Sequence, residues 1–266
     1  MVYSMFMTLI LFGFTANAKP TLSFDEPWVR HLYLAQEDVN QFSPTNFVQM
    51  IGDHDVVVYE HEYGAANSKH PLHEHRMLLS RFCSGCFKKT PGHGYQVKSS
   101  YLGNEKNKLI KLIGPYIENL ARVPAQSVEF TLRIAHAPWQ FACHFDAADN
   151  IFIQLHGKRR VVLLPFEVGI KGIDLYDAQS SIIDTDPTLK AVAREFIIGP
   201  GDVLFIPAGW FHYVESVGDD FLVACSTGFE LPSKSYVEVN KHFDRYYAQR
   251  NKIVKSGKEG HHICIK

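Results

Sequence analysis

No stretch of the 266-residue chain approaches the about 18 consecutive apolar residues that a membrane-crossing helix needs. Neither charge sign prevails, with 27 Lys and Arg against 28 Asp and Glu and a net charge of −1. That balance argues against a polyanionic partner recognised by overall charge and leaves only local basic patches to consider. Cysteines are few and odd in number: Cys83, Cys86, Cys143, Cys225 and Cys264 cannot close into a disulfide framework. There is no Asn-x-Ser/Thr acceptor, no internal repeat and no low-complexity segment. What is abundant is core material. Hydrophobic residues make up 46% and aromatics 13%, enough for one large domain or two small ones.

The first residues, "MVYSMFMTLILFGFTANAKP", carry an apolar run from Met5 to Phe14 before a small-x-small site at Ala16-Asn17-Ala18. The expectation is a cleaved signal peptide over 1–18 and a luminal or secreted protein, although this leader lacks Lys and Arg. The alternative is an apolar N-terminal strand in a cytoplasmic or nuclear protein. Ser43-Pro44 ahead of "TNFVQMI" and Gly52 predicts a short helix capped by Ser43. "DVVVYEHEY" (55–63) reads as a strand, 64–103 as loops and short strands, and 105–123 as helix broken at Gly114-Pro115. Residues 19–125 thus form flanking helices, strands and loops.

From about 126 to 231 the character is different. "VEFTLRIAHA", "NIFIQLHG", "RRVVLLP", "REFIIGPG", "DVLFIPAGWFHYVES" and "FLVACSTGF" are short, β-branched or aromatic, and bounded by Gly, Pro or Asp. This predicts a mainly β fold with flanking helices, an antiparallel sandwich or small barrel. A longer loop is expected over 167–194. The 232–266 segment returns to helical spacing in "SKSYVEVNKHFDRYYAQR" and ends in a basic tail.

The chemistry is concentrated in "HFDAADN" (144–150) and "GWFH" ending at His212. A ferrous site of the two-histidine, one-carboxylate kind needs two neutral imidazoles and one carboxylate on one face of the metal, with the other positions open. His144 and Asp146, two apart on an extended segment, point to one side and supply two of these. His212, from another strand, supplies the third. Each residue alone reads as an ordinary packed histidine or turn-capping aspartate; the three in this order are the signal.

The constellation resembles the JmjC-type cupin family of Fe(II)- and 2-oxoglutarate-dependent oxygenases, most nearly its hydroxylases of a modified tRNA base and of protein asparagine. The resemblance covers 126–231 and extends weakly to "SPTNFVQMIGDHDVVVYE". It implies a double-stranded β-helix (jelly-roll, cupin) core with His144, Asp146 and His212 as Fe(II) ligands. It places Asn150 near the cofactor. It sets Arg159 of "GKRR" where relatives carry the lysine that pairs with the distal carboxylate of 2-oxoglutarate; Lys158 could take that role only if the turn shifted by one residue. Ser226 or Thr227 stands where relatives have an asparagine, and Phe141 where they have a polar cofactor contact.

Other clusters carry weaker readings. His70, His73 and His75 precede Cys83 and Cys86, so zinc, a local disulfide or plain thiols are all open. Lys158 and Arg160 read as a solvated face, with nucleic acid unlikely. The aromatic C-terminal helix offers a homodimer face or a lid on its own barrel. The functional expectation is an Fe(II)/2-oxoglutarate hydroxylase acting on a protein or peptide side chain. The rivals are an inactive luminal scaffold, prompted by Arg159, Ser226 and Phe141, and a tRNA or other nucleic-acid modifying oxygenase.

Overall fold

The computed structural model describes residues 25–32, 34, 36–62, 71–87, 89–98, 111, 113–115, 118, 130–146, 148–170, 180–218 and 221–229. The signal segment, most of 105–123, the C-terminal helix, His70 and Cys264 lie outside the described residues.

Among the described residues twelve strands dominate. The first four, β1 (Trp28–His31), β2 (Asp55–Glu62), β3 (His73–Leu78) and β4 (His93–Val97), come from the N-terminal part. They are interspersed with α1 (Gln36–Asn40), α2 (Pro44–Ile51) and α3 (Leu79–Cys83). Next come β5 (Thr131–His136), β6 (Gln140–His144), β7 (Asp149–His156) and β8 (Lys158–Leu164). Three short helices follow, α4 (Phe166–Ile170), α5 (Ser180–Thr185) and α6 (Pro187–Val192). The chain then returns to strands: β9 (Arg194–Ile198), β10 (Asp202–Ile206), β11 (Phe211–Val217) and β12 (Phe221–Phe229).

The strands make two sheets. One has eight strands in the order β1-β10-β7-β12-β5-β4-β2-β3, the other four in the order β6-β11-β8-β9. All the described pairings are antiparallel. This is the double-stranded β-helix expected from the short, turn-bounded strands. The flanking strands β1 to β4 extend the large sheet.

Strand alternation sorts the side chains into three cores. Between the sheets lie Ala135, Trp139, Val161, Leu163, Leu204, Ile206, Val214 and Leu222. The opposite phase of the large sheet, including Leu132, Ile134, Ile151, Ile153, Val223 and Cys225, packs on Phe47 of α2 and Phe82 of α3. Behind the small sheet, Val162, Leu164, Phe211 and Tyr213 pack on Phe166, Ile183 and Leu189 of α4 to α6. Both faces of the central strands are therefore covered, which explains why they read as nearly continuous apolar runs.

Three expectations need correction. The 167–194 region contains three short helices where a loop was expected; Asp186 caps α6 by accepting from the backbone N–H groups of Thr188 (2.7 Å) and Leu189 (3.3 Å). "DVLFIPAGWFHYVES" divides between β10 and β11, which belong to different sheets. Pro207 and Gly209 break it by withholding a ladder donor and allowing a positive φ of 80°. Ser43 does precede α2, but its hydroxyl makes no cap bond and donates to the Asn40 carbonyl at 2.8 Å.

Candidate metal centre

His144 ends β6 and His212 sits on β11, where the two are directly paired across the ladder. Their ring centroids are 4.0 Å apart. Each ring is oriented by its own backbone. The Nδ1–H of His144 donates to the Ala142 carbonyl at 2.9 Å, and that of His212 to the Trp210 carbonyl at 3.1 Å. Those bonds leave both Nε2 lone pairs available for a metal. The two Nε2 atoms face Asp146, at 4.0 Å from Oδ1 for His144 and 3.7 Å from Oδ2 for His212. One donor atom from each of the three residues lies within 4.8 Å of the others, the only such group among the described residues.

Asp146 differs from its sequence reading in one respect. It lies beyond the end of β6, in the connection to β7, so strand alternation does not aim it. Contacts do: Asn150 Nδ2 donates to its Oδ2 at 3.3 Å, and its own carbonyl accepts from Gly209 N–H at 2.8 Å. Three positions on, the buried Asp149 carboxylate accepts from Ala208 N–H at 2.8 Å. These last two bonds fasten the β10–β11 turn to the β6–β7 connection, and so fix His212 against Asp146.

The electrostatics suit a cation. Burial, then the His212 charge, push the His144 imidazole down to about 3, keeping it neutral. Burial by itself would raise Asp146, but His212 and His144 outweigh it and hold the carboxyl below its ordinary value. Two imidazoles and a carboxylate that face one another at the mouth of a pocket fit a divalent first-row metal.

The triad opens into a pocket with about 610 Å³ of empty space, part of it open to solvent. Asn150, Ser226 and Phe141 line it, the Phe141 ring centroid lying 4.7 Å from that of His144. Asn150 Oδ1 is buried without a hydrogen-bond partner. The other proposed cofactor residues lie elsewhere. Thr227 is in the phase of β12 that faces the outer core alongside Cys225, and its hydroxyl has no partner. Lys158 is exposed and the turn shows no one-residue shift, since Arg159 takes the inward position.

Arg159 is wholly buried and is not part of the pocket lining. Its guanidinium lies 5.3 Å from the Trp139 ring and 5.5 Å from the Phe152 ring, and both of those rings line the pocket. It donates to Gln154 Oε1 and to the Arg133 carbonyl (3.4 Å). The cation that does line the pocket is Arg133 on β5. Sequence reasoning missed it, along with Gln96 and Trp139. In "TLRIAH" Arg133 alternates with the apolar Leu132 and Ile134, which by itself reads as a solvent-facing position.

The second histidine cluster holds no metal-like arrangement among the described residues. His75 and His93 donate to the buried Glu60 carboxylate at 2.6 and 2.7 Å, and Tyr95 adds a hydroxyl at 2.9 Å. Burial would raise Glu60, yet these bonds outweigh it and hold the carboxyl at about 2. Cys83 and Cys86 are both free thiols, the first buried and the second exposed.

Residues 63–247 match the cupin-like domain, more than half of the chain. The chain belongs to the JmjC-like cupin family. Among similar proteins, tRNA wybutosine-synthesizing protein 5 of Danio rerio is 37% identical over 122 residues, 42% of this chain and 36% of that protein. Its counterpart in Homo sapiens is 37% identical over 114 residues, 39% of this chain and 35% of that protein. Lysine-specific demethylase JMJ31 of Arabidopsis thaliana is 28% identical over 179 residues, 60% of this chain and 32% of that protein. The JmjC-like cupin described here thus matches about a third of the length of each of these relatives.

Proposed function

We propose that this JmjC-like cupin is an Fe(II)- and 2-oxoglutarate-dependent hydroxylase. The observation that carries the reading is the convergence of both free Nε2 atoms on Asp146 at the edge of a cation-bearing pocket. Bound Fe(II) and 2-oxoglutarate, with dioxygen as the oxidant, would supply the hydroxylation of an unactivated C–H bond, one oxygen atom going to the product and the other to the succinate formed with carbon dioxide.

The chain's own part is orientation and exclusion of water. His144, Asp146 and His212 would hold the metal. The Ala142 and Trp210 carbonyls keep the two imidazoles in the Nδ1–H tautomer, and Asn150 holds the carboxylate rotamer. Phe141, Trp139 and Phe152 make the pocket wall apolar where a reacting carbon would rest. The same walls restrict water at the reacting centre.

The substrate proposed is a protein or peptide side chain, in keeping with the luminal location expected from the apolar leader. A tRNA base is the second reading, and the similarity to tRNA wybutosine-synthesizing protein 5 supports it. The deciding experiment incubates the purified protein with Fe(II), 2-oxoglutarate and either peptide or tRNA pools. Succinate release together with a product one oxygen atom heavier in one pool is the expected result. Metal retention with no succinate in any pool would reject the enzyme in favour of a scaffold.

A further inference from the structure

Two arginines from different strands meet beneath the pocket, and among the described residues neither forms an ion pair with a carboxylate. Arg159 donates one bond to the neutral Gln154 side chain and one to the Arg133 backbone carbonyl, and its Nε is buried without a partner. Arg133 donates from Nε to Ser226 Oγ at 3.2 Å, while its two Nη groups have no partner among the described residues and line the pocket. Its nearest anionic influence is Asp146, a member of the metal triad. A wholly buried guanidinium without a counter-charge, beside a second one that lines the pocket, leaves a local excess of positive charge that an anion in the pocket would offset.

Geometry ranks the two. Arg159 is separated from the cavity by the Trp139 and Phe152 rings, against which it stacks, and all of its surface is covered. Arg133 is exposed and lines the cavity, so its guanidinium can be reached by a solute there. Its fork is braced at Nε by Ser226 and its main chain is held by Arg159, so its planar Nη pair is presented ready for a bidentate partner.

We infer that Arg133, braced by Ser226 and supported from behind by Arg159, is the seat for the far carboxylate of a 2-oxo diacid chelated at the triad. The anchor thereby lies on β5, not on the β8 arginine that occupies the lysine position of relatives, and Arg159 is a positioning residue. This inference rests on the hydroxylase reading of the same site. It predicts a specific preference: a diacid gains from Arg133, whereas a monoacid with the same oxo-acid head does not.

The test is an anaerobic titration of the Fe(II)-loaded full chain with 2-oxoglutarate and with 2-oxobutanoate, read by the visible charge-transfer absorbance of the chelated oxo acid. Metal content and thermal melting are measured on every variant. Arg133→Gln is expected to weaken 2-oxoglutarate by about 100-fold, the scale of losing a hydrogen-bonded charge pair with the ligand, and to leave 2-oxobutanoate and Fe(II) binding unchanged. Ser226→Ala, a small change in the same brace, is expected to weaken the diacid alone to a lesser degree, and it serves if Arg133→Gln does not fold. Arg159→Lys is expected to retain the preference for the diacid. Diacid binding that survives both Arg133→Gln and Ser226→Ala, or is abolished by Arg159→Lys in a folded protein, overturns the assignment to Arg133. If the metal-loaded wild type chelates neither oxo acid, the hydroxylase reading itself fails and the assignment goes with it.

Discussion

His144 and His212 lie opposite one another on neighbouring antiparallel strands, and each ring is turned by a hydrogen bond to the carbonyl two residues before it. This places the two Nε2 atoms side by side without help from any distant residue. Only the carboxylate has to be brought in.

That arrangement predicts metal-linked stability. A divalent first-row cation at 100 times its dissociation constant should stabilise the wild type by about 2.7 kcal/mol, because the triad exists only in the folded state. The gain should appear as a higher Tm and disappear on chelation. Asp146→Ala should keep the fold and lose the metal-dependent rise in Tm, since two imidazoles alone hold the ion weakly. An unchanged metal response in that variant would remove Asp146 from the ligand set.

The triad was legible because its three members come with distinctive neighbours: an apolar strand after His144 and Asp146, and a Gly-Pro-punctuated strand before His212. The aim of Asp146 was not legible, since it depends on Asn150 and on the backbone of a turn about 60 residues away. Arg133 was hidden for a different reason. Alternation in "TLRIAH" separates two faces, but it cannot tell that both faces of β5 are interior, one toward α2 and α3 and one toward the pocket. A lone arginine in such a strand reads as solvent-facing. The helices α4 to α6 are each five or six residues long, too short for apolar periodicity to emerge, although the Asp186-Pro187 start of α6 was available as a signal.

The turn that carries His212 hangs on Asp149. Its buried carboxylate accepts from Ala208 N–H at 2.8 Å. Asp149→Ala leaves a buried N–H without its acceptor and should cost about 2 kcal/mol of stability. Because it also loosens the β10–β11 turn, metal affinity should fall by roughly 10-fold although Asp149 touches no metal. Denaturant unfolding and metal titration check the two effects separately; a stability loss with unaltered metal affinity would show that the turn does not position His212.

The turn between β7 and β8 depends on Gly157. Its φ is +71°, and a Cβ there would lie 2.6 Å from Leu222 Cδ2 and 2.7 Å from the Phe221 carbonyl. Gly157→Ala therefore combines left-handed strain with a clash against backbone that cannot rotate away, and should cost about 3 kcal/mol or more. The same turn sets the phase of β8, so partial accommodation would move Arg159 off the Arg133 carbonyl. Urea unfolding measures the cost.

His136 should give the protein a stability step in mild acid. The ring is buried, with Nε2–H donating to the Phe82 carbonyl at 2.6 Å and Lys89 3.4 Å from Nδ1. Burial first, and then the Lys89 charge, push it down to about 4 from an ordinary 6.5. The unfolded chain therefore binds a proton that the folded chain refuses between those two values. The contribution is fully present above pH 6.5 and is lost as the pH falls toward 4, amounting to at most about 3 kcal/mol at 1.36 kcal/mol per pH unit. His136→Gln cannot titrate, so its unfolding free energy should fall less steeply with acid than that of the wild type. The difference between the two proteins should narrow from pH 7 to pH 4, and parallel curves across that window would mean that His136 is protonated in the native state without penalty.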